Sequence, residues 1–232
     1  MHLRGSVMPI DRYTPLVSVP WYPGLFMRRA MVANALSVVG YHGGAPETYD
    51  AFQRLLGPST DGKYGIWPLR QPYGRGGIST CAMVALGLLR RLGVQCPDIQ
   101  DGYHDDMGSG LNTAIQCARK QSPPAWVSPI PGLYPELGDI VQVVGPMHVC
   151  VVVGYERLPD GTLTCVSVDG GQVGLDGLQQ ISLCRRPWCQ DRLGGRRVDG
   201  WIDVDLLPYG GTVEVPEGWE AVLVPPAWEL LG

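Results

Sequence analysis

Cys81, His148 and Asp169 are the side chains whose types, order and flanking sequence could together do chemistry. Cys81 follows Gly76-Gly77-Ile78-Ser79-Thr80 and opens a run from Ala82 to Leu92, apolar but for Arg90-Arg91, that Gly93 closes. A thiol at the start of a buried helix meets the positive end of the helix dipole and free backbone N–H groups, which favour the thiolate. The same N–H groups can serve as half of an oxyanion hole, with Ser79, Tyr73 or Tyr64 as candidates for the second donor. His148 opens a Val-rich segment after the turn Gly145-Pro146-Met147, where an imidazole can act as base toward a nucleophile on a facing helix. Asp169 ends the next such segment, before Gly170-Gly171-Gln172, and could orient the imidazole by accepting a hydrogen bond from its second nitrogen. Gln172 is an alternative orienter. Each residue also has a plainer reading: Cys81 as a small core residue, His148 as a structural histidine, Asp169 as a turn residue before two glycines.

The elements that must position these groups read as helices first and strands second. Helical spacing runs over 27–39 with Gly40 as stop, and 49–56 forms a shorter helix ended by Gly57-Pro58. Residues 57–77, rich in Gly and Pro, form a long loop. Ser79 or Thr80 can cap the helix 81–92, and a further helix covers 110–120. From Asp139 onward the period changes to short Val- and Ile-rich segments at 139–144, 149–155, 163–168 and 178–183, with Leu158-Pro159-Asp160-Gly161 as a hairpin turn. Segments 201–204 and 219–224 read as late strands. This order predicts an α+β fold with an antiparallel sheet. The division expected is an extended N-terminal arm over 1–26, a single domain over 27–224 and a C-terminal tail over 225–232.

The chain has 232 residues, a net charge of −4 and only 17 % charged residues, a balance suited to one compact core. Its Lys and Arg occur in short pairs such as Arg28-Arg29 and Arg196-Arg197 without a broad basic footprint, which argues against a nucleic-acid surface. Arg185, Arg186, Arg196 and Arg197 are expected to face water. Seven cysteines leave at least one thiol unpaired; no CxxC occurs, and neither a metal site nor a cofactor is signalled. The Cys184/Cys189 pair could close a small loop disulfide, although reduced, buried thiols are the expectation. His104-Asp105-Asp106 with Asp101 reads as a solvated acidic loop, not a cation site, and Trp188, Trp201 and Tyr209 as packing anchors. The N-terminal residues lack the apolar core of a signal peptide and no apolar run reaches membrane-spanning length. The expectation is a soluble chain made in the cytosol.

The order and context of these pieces resemble the papain-like superfamily that includes CHAP and NlpC-type hydrolases. Members carry a nucleophilic Cys at a helix start, a Pro-Gly-Asp-Ile-Val strand, a Gly-His-Val strand and a polar third residue one strand later. The matching positions are Cys81, Gly138-Asp139-Ile140-Val141, Met147-His148-Val149 and Asp169, and the helix ending at Val39-Gly40-Tyr41 is similar to the one leading into the catalytic loop. The similarity covers approximately residues 27–185. It departs at Thr80-Cys81-Ala82, where NlpC-type enzymes usually have Asp-Cys-Ser, and at Met147, where Gly is common. The resemblance implies a cysteine amidase or endopeptidase acting on peptidoglycan amide bonds. It also implies export as an antibacterial effector or release by lysis, with an immunity or delivery protein as possible partners. A protein-directed protease or deamidase, or a non-catalytic binding module of the same fold, are the alternatives.

Overall fold

The computed structural model describes residues 14–23, 25–57, 80–96, 109–144 and 148–223. Four helices, α1 (Met27–Ser37), α2 (Pro46–Leu56), α3 (Cys81–Arg91) and α4 (Ser109–Lys120), come before most of the strands. The strands are β1 (Leu16–Pro20), β2 (Trp126–Val127), β3 (Ile140–Val143), β4 (His148–Arg157), β5 (Leu163–Val173), β6 (Gln179–Cys189), β7 (Arg192–Leu193), β8 (Arg196–Ile202) and β9 (Thr212–Pro216). A short helix α5 (Glu220–Leu223) follows. The fold is therefore α+β with an antiparallel sheet. None of the described helices is long and apolar enough to cross a membrane.

The main sheet runs β2-β8-β3-β4-β5-β6-β7, and β7 pairs again with β8. The pairings β3 through β8 thus form a closed circuit, and the sheet curls on itself. Strand alternation then sorts side chains into two cores. Ile140, Val149, Val151, Val168, Ile181 and Ile202 face outward and bury the apolar sides of the helices, with Phe52, Leu88 and Leu89 fully enclosed. Val141, Val143, Cys150, Val152, Cys165, Trp188 and Trp201 face inward and fill the curl. Both tryptophans anchor as expected, but inside the sheet.

Helix α3 is buried on all sides, as its composition predicts. Its single glycine has a packing reason. A Cβ on Gly87 would lie 2.1 Å from the Leu55 carbonyl oxygen, so α2 and α3 approach closely only because that atom is missing. Two local expectations change. Residues 219–224 were expected as a strand; among the described residues 220–223 instead form α5, and the last strand is β9, paired with β1 from the N-terminal arm. Thr80 occupies the N-cap position without a side-chain cap; its backbone N–H donates to Gln179 Oε1 at 2.9 Å. The expectation of reduced thiols holds at Cys184 and Cys189: both are free and lie on β6 roughly 16 Å apart at ~3.3 Å per residue, too far for a disulfide.

Candidate active site

The first turn of α3 is pinned to the sheet from two directions. Gln179 on β6, almost fully buried, holds the Thr80 N–H at 2.9 Å. Gly170 on β5 lets the helix sit directly on the strand, since a Cβ there would meet Val84 Cγ2 at 2.6 Å and the Thr80 carbonyl oxygen at 3.0 Å. Cys81, the first residue of the helix, is 8 % exposed, so it is nearly sheltered yet still reachable. The leading N–H groups of any α-helix lack intrahelical acceptors, which leaves the backbone around Cys81 able to hold a negative oxygen.

A single bulge decides whether the histidine and the aspartate can meet. Pairing of β4 with β5 starts from the hairpin with Arg157 opposite Leu163 and Tyr155 opposite Cys165. Between Val152 and Gly154 the register slips by one, so Val152 faces Ser167 and Val151 faces Val168. In a strand a one-residue slip exchanges the two faces. Beyond the bulge the even-numbered residues of β4 therefore join Cys165, Ser167 and Asp169 on the inward face, and His148 comes diagonally opposite Asp169. His148 Nε2 is in hydrogen-bond contact with Asp169 Oδ2. The same imidazole is hydrogen-bonded to the Cys81 thiol. With Nε2 given to the carboxylate, Nδ1 is the nitrogen left for sulfur. Gln172, the alternative orienter, lies past a second register shift and pairs with Gln180.

Asp169 is completely buried and its charge is met from three sides. Ser167 Oγ donates to Oδ1 at 2.6 Å, His148 engages Oδ2, and Arg186 Nη1 reaches Oδ2 at 2.9 Å. Arg186 also donates to Ser167 Oγ at 3.1 Å. Burial works against the carboxylate, but the His148 hydrogen bond and the Arg186 charge outweigh it and hold Asp169 below the usual range. For His148, burial disfavours the cation, and the bonds to Asp169 and Cys81 override it, pushing the imidazole up to about 9. The inward thiols respond in the opposite sense. Burial and the Asp169 charge push Cys165 up to about 12 and Cys184 up to about 11. They stay protonated, while Cys81 has an imidazole as its neighbour.

The expectation that both Arg185 and Arg186 face water is half right. Arg185 pairs with Glu156 on the exposed side at 3.2 Å, whereas Arg186 is turned inward against Asp169. Strand parity separates these adjacent residues, and only the pairing partner reveals which one goes inside. Ser167 and Gln179, also absent from the sequence expectation, are polar side chains in apolar strands, a pattern that would have flagged them as buried partners: Ser167 faces inward to Asp169, and Gln179, on the same face as Ile181, points outward to Thr80. Ser79, Tyr73 and Tyr64 lie outside the described residues, as do Asp101, His104, Asp105 and Asp106. Among the described residues no group of three or more His, Cys, Asp or Glu is arranged to hold a metal ion.

No protein-family model, curated protein or solved structure matches this chain.

Proposed function

We propose that the chain is a papain-like cysteine hydrolase that cleaves amide bonds, with Cys81 as nucleophile, His148 as base and Asp169 as the group that orients the imidazole. The observation that carries this reading is the imidazole hydrogen-bonded at once to the thiol opening a buried helix and to a fully buried carboxylate. An imidazolium beside sulfur favours the thiolate, the reactive form. The thiolate adds to the carbonyl carbon of the amide, and the developing oxyanion is met by the Cys81 backbone N–H. His148 then donates its proton to the departing amine nitrogen as the C–N bond breaks. A water, deprotonated by the same imidazole, attacks the thioester and returns the free thiol.

Peptidoglycan as substrate follows from the resemblance to CHAP and NlpC-type domains, and so do delivery across an envelope and an immunity partner. The test incubates the full chain with purified peptidoglycan and reads the soluble fragments by mass spectrometry, alongside Cys81→Ala and His148→Ala. New fragments that both variants abolish support the reading. Unchanged muropeptides remove the cell wall as substrate, and trimming or deamidation of added proteins moves the activity to the protease or deamidase class. A Cys81 no more reactive at pH 6 than an ordinary thiol, together with no cleavage of either substrate, leaves a binding module.

A further inference from the structure

We propose that a pocket at the C-terminal end of α3 binds a small molecule through a phosphate-type oxyanion, with Arg54, Arg90 and Arg91 as its cationic wall. The cavity holds about 690 Å³ and is bounded by the start of β1, by α2, by the last turn of α3 and by β9. Its size suits a small-molecule ligand with a body beyond the anionic group. Arg90 and Arg91 end α3, about 15 Å along the helix from Cys81 at ~1.5 Å per residue, so the pocket is separate from the thiol site.

Three features call for an anion. The guanidiniums crowd one another: Arg90 is disfavoured as a cation first by burial and then by Arg91, and Arg91 first by burial, which the Tyr41 phenol and the Glu214 charge only partly offset, with a smaller repulsion from Arg54. Arg91 Nη1 is buried and, among the described residues, has no hydrogen-bond partner. Finally, within those residues none of the three arginines has a carboxylate at ion-pair distance. Arg90 donates to the Leu55 carbonyl at 2.8 Å, and Arg91 bonds the Tyr41 phenol, so each side chain is fixed in place and keeps further N–H groups. Glu47 and Glu214 line the same cavity and offset two of the three charges. One positive charge remains over, and phosphate, which accepts forked guanidinium bonds, is the ligand chemistry that matches it.

The test is isothermal titration of the full chain with inorganic phosphate and with pyrophosphate at physiological salt. Saturable one-to-one binding is expected, with pyrophosphate the tighter, weakened about tenfold or more in Arg54→Gln and in Arg91→Gln. Arg157→Gln, exposed on the far hairpin, should bind as wild type. Arg54 is exposed on α2, so its variant keeps the test alive if Arg91→Gln does not fold. Absence of saturable binding of both anions up to ~5 mM overturns the proposal, as does binding that Arg54→Gln leaves unchanged.

Discussion

Replacing Asp169 by Asn removes the charge that supports the His148 cation while keeping nearly the same shape. The imidazole sits at about 9, against an ordinary 6.5, a gap worth ~3 kcal/mol in favour of the charged form. Without the carboxylate charge, burial and the nearby Arg186 both act against that cation, and the imidazole should fall to 6.5 or below. At pH 6 the wild-type thiol then has an imidazolium beside it, whereas the variant thiol keeps only the helix end; an unaided cysteine near ~8.5 is about 0.3 % thiolate there. Alkylation of Cys81 by iodoacetamide, followed by mass spectrometry of its tryptic peptide, should slow roughly a hundredfold at pH 6 and converge with wild type above pH 9. Because Arg186 loses its partner in Asp169→Asn, a second variant is needed. His148→Gln keeps the Asp169–Arg186 contact and should give the same loss at low pH. A wild-type profile that already rises with an ordinary thiol midpoint, or two variants that leave it unchanged, would refute the thiolate–imidazolium reasoning.

Arg186→Met should lower unfolding free energy by ~3 kcal/mol, because it removes one of the two cations, with His148, that hold a fully buried carboxylate; Arg185→Met, which breaks an exposed pair, should cost under about 1 kcal/mol in the same denaturant titration. Stability should also depend on His148 titration. Its folded level is raised, so the contribution is complete below pH 6.5 and is lost as pH rises through about 9. Urea midpoints of wild type should therefore fall between pH 6 and pH 10 by more than those of His148→Gln, and parallel curves would refute this. Gly87→Ala should destabilise by ~1–3 kcal/mol in thermal unfolding despite the better helix propensity of Ala, since its Cβ would sit 2.1 Å from the Leu55 carbonyl oxygen.

The parts of the fold written in local pattern were legible. The run from Cys81 to Leu92 is apolar nearly all round and closed by Gly93, so both its burial and its boundaries could be read. Leu158-Pro159-Asp160-Gly161 marked the hairpin, and Gly161 does take φ of 86° there. What depends on pairing between distant segments was not legible. Strand β9 reads as a strand only beside β1, far away in the chain, and residues 220–223 after it form α5. The same limit hid Arg186. Nothing in Arg185-Arg186 says which residue points inward until the register sets Arg186 opposite the inward Cys165, next to Ser167 and Asp169.

The bulge in β4 carries this further. Counting outward from Asp160 puts His148 and Asp169 at unequal distances from the turn, and an unbroken ladder would leave them on opposite faces. In that arrangement Val149 and Val151 would face inward, with His148 outside among the helices and Asp169 alone inside. The extra residue near Val153 reverses the parity of the first half of β4 only, and leaves Tyr155 and the hairpin end untouched. A buried ion pair made for stability alone would need no such device, since well-packed apolar side chains serve as well or better. The device makes sense if the inward carboxylate must reach an imidazole at the end of the strand. There the ring meets α3, whose first residue packs on the outer face of the same sheet. His148, as the opening residue of β4, is the position in the strand from which one side chain can contact both Asp169 inside the curl and Cys81 outside it.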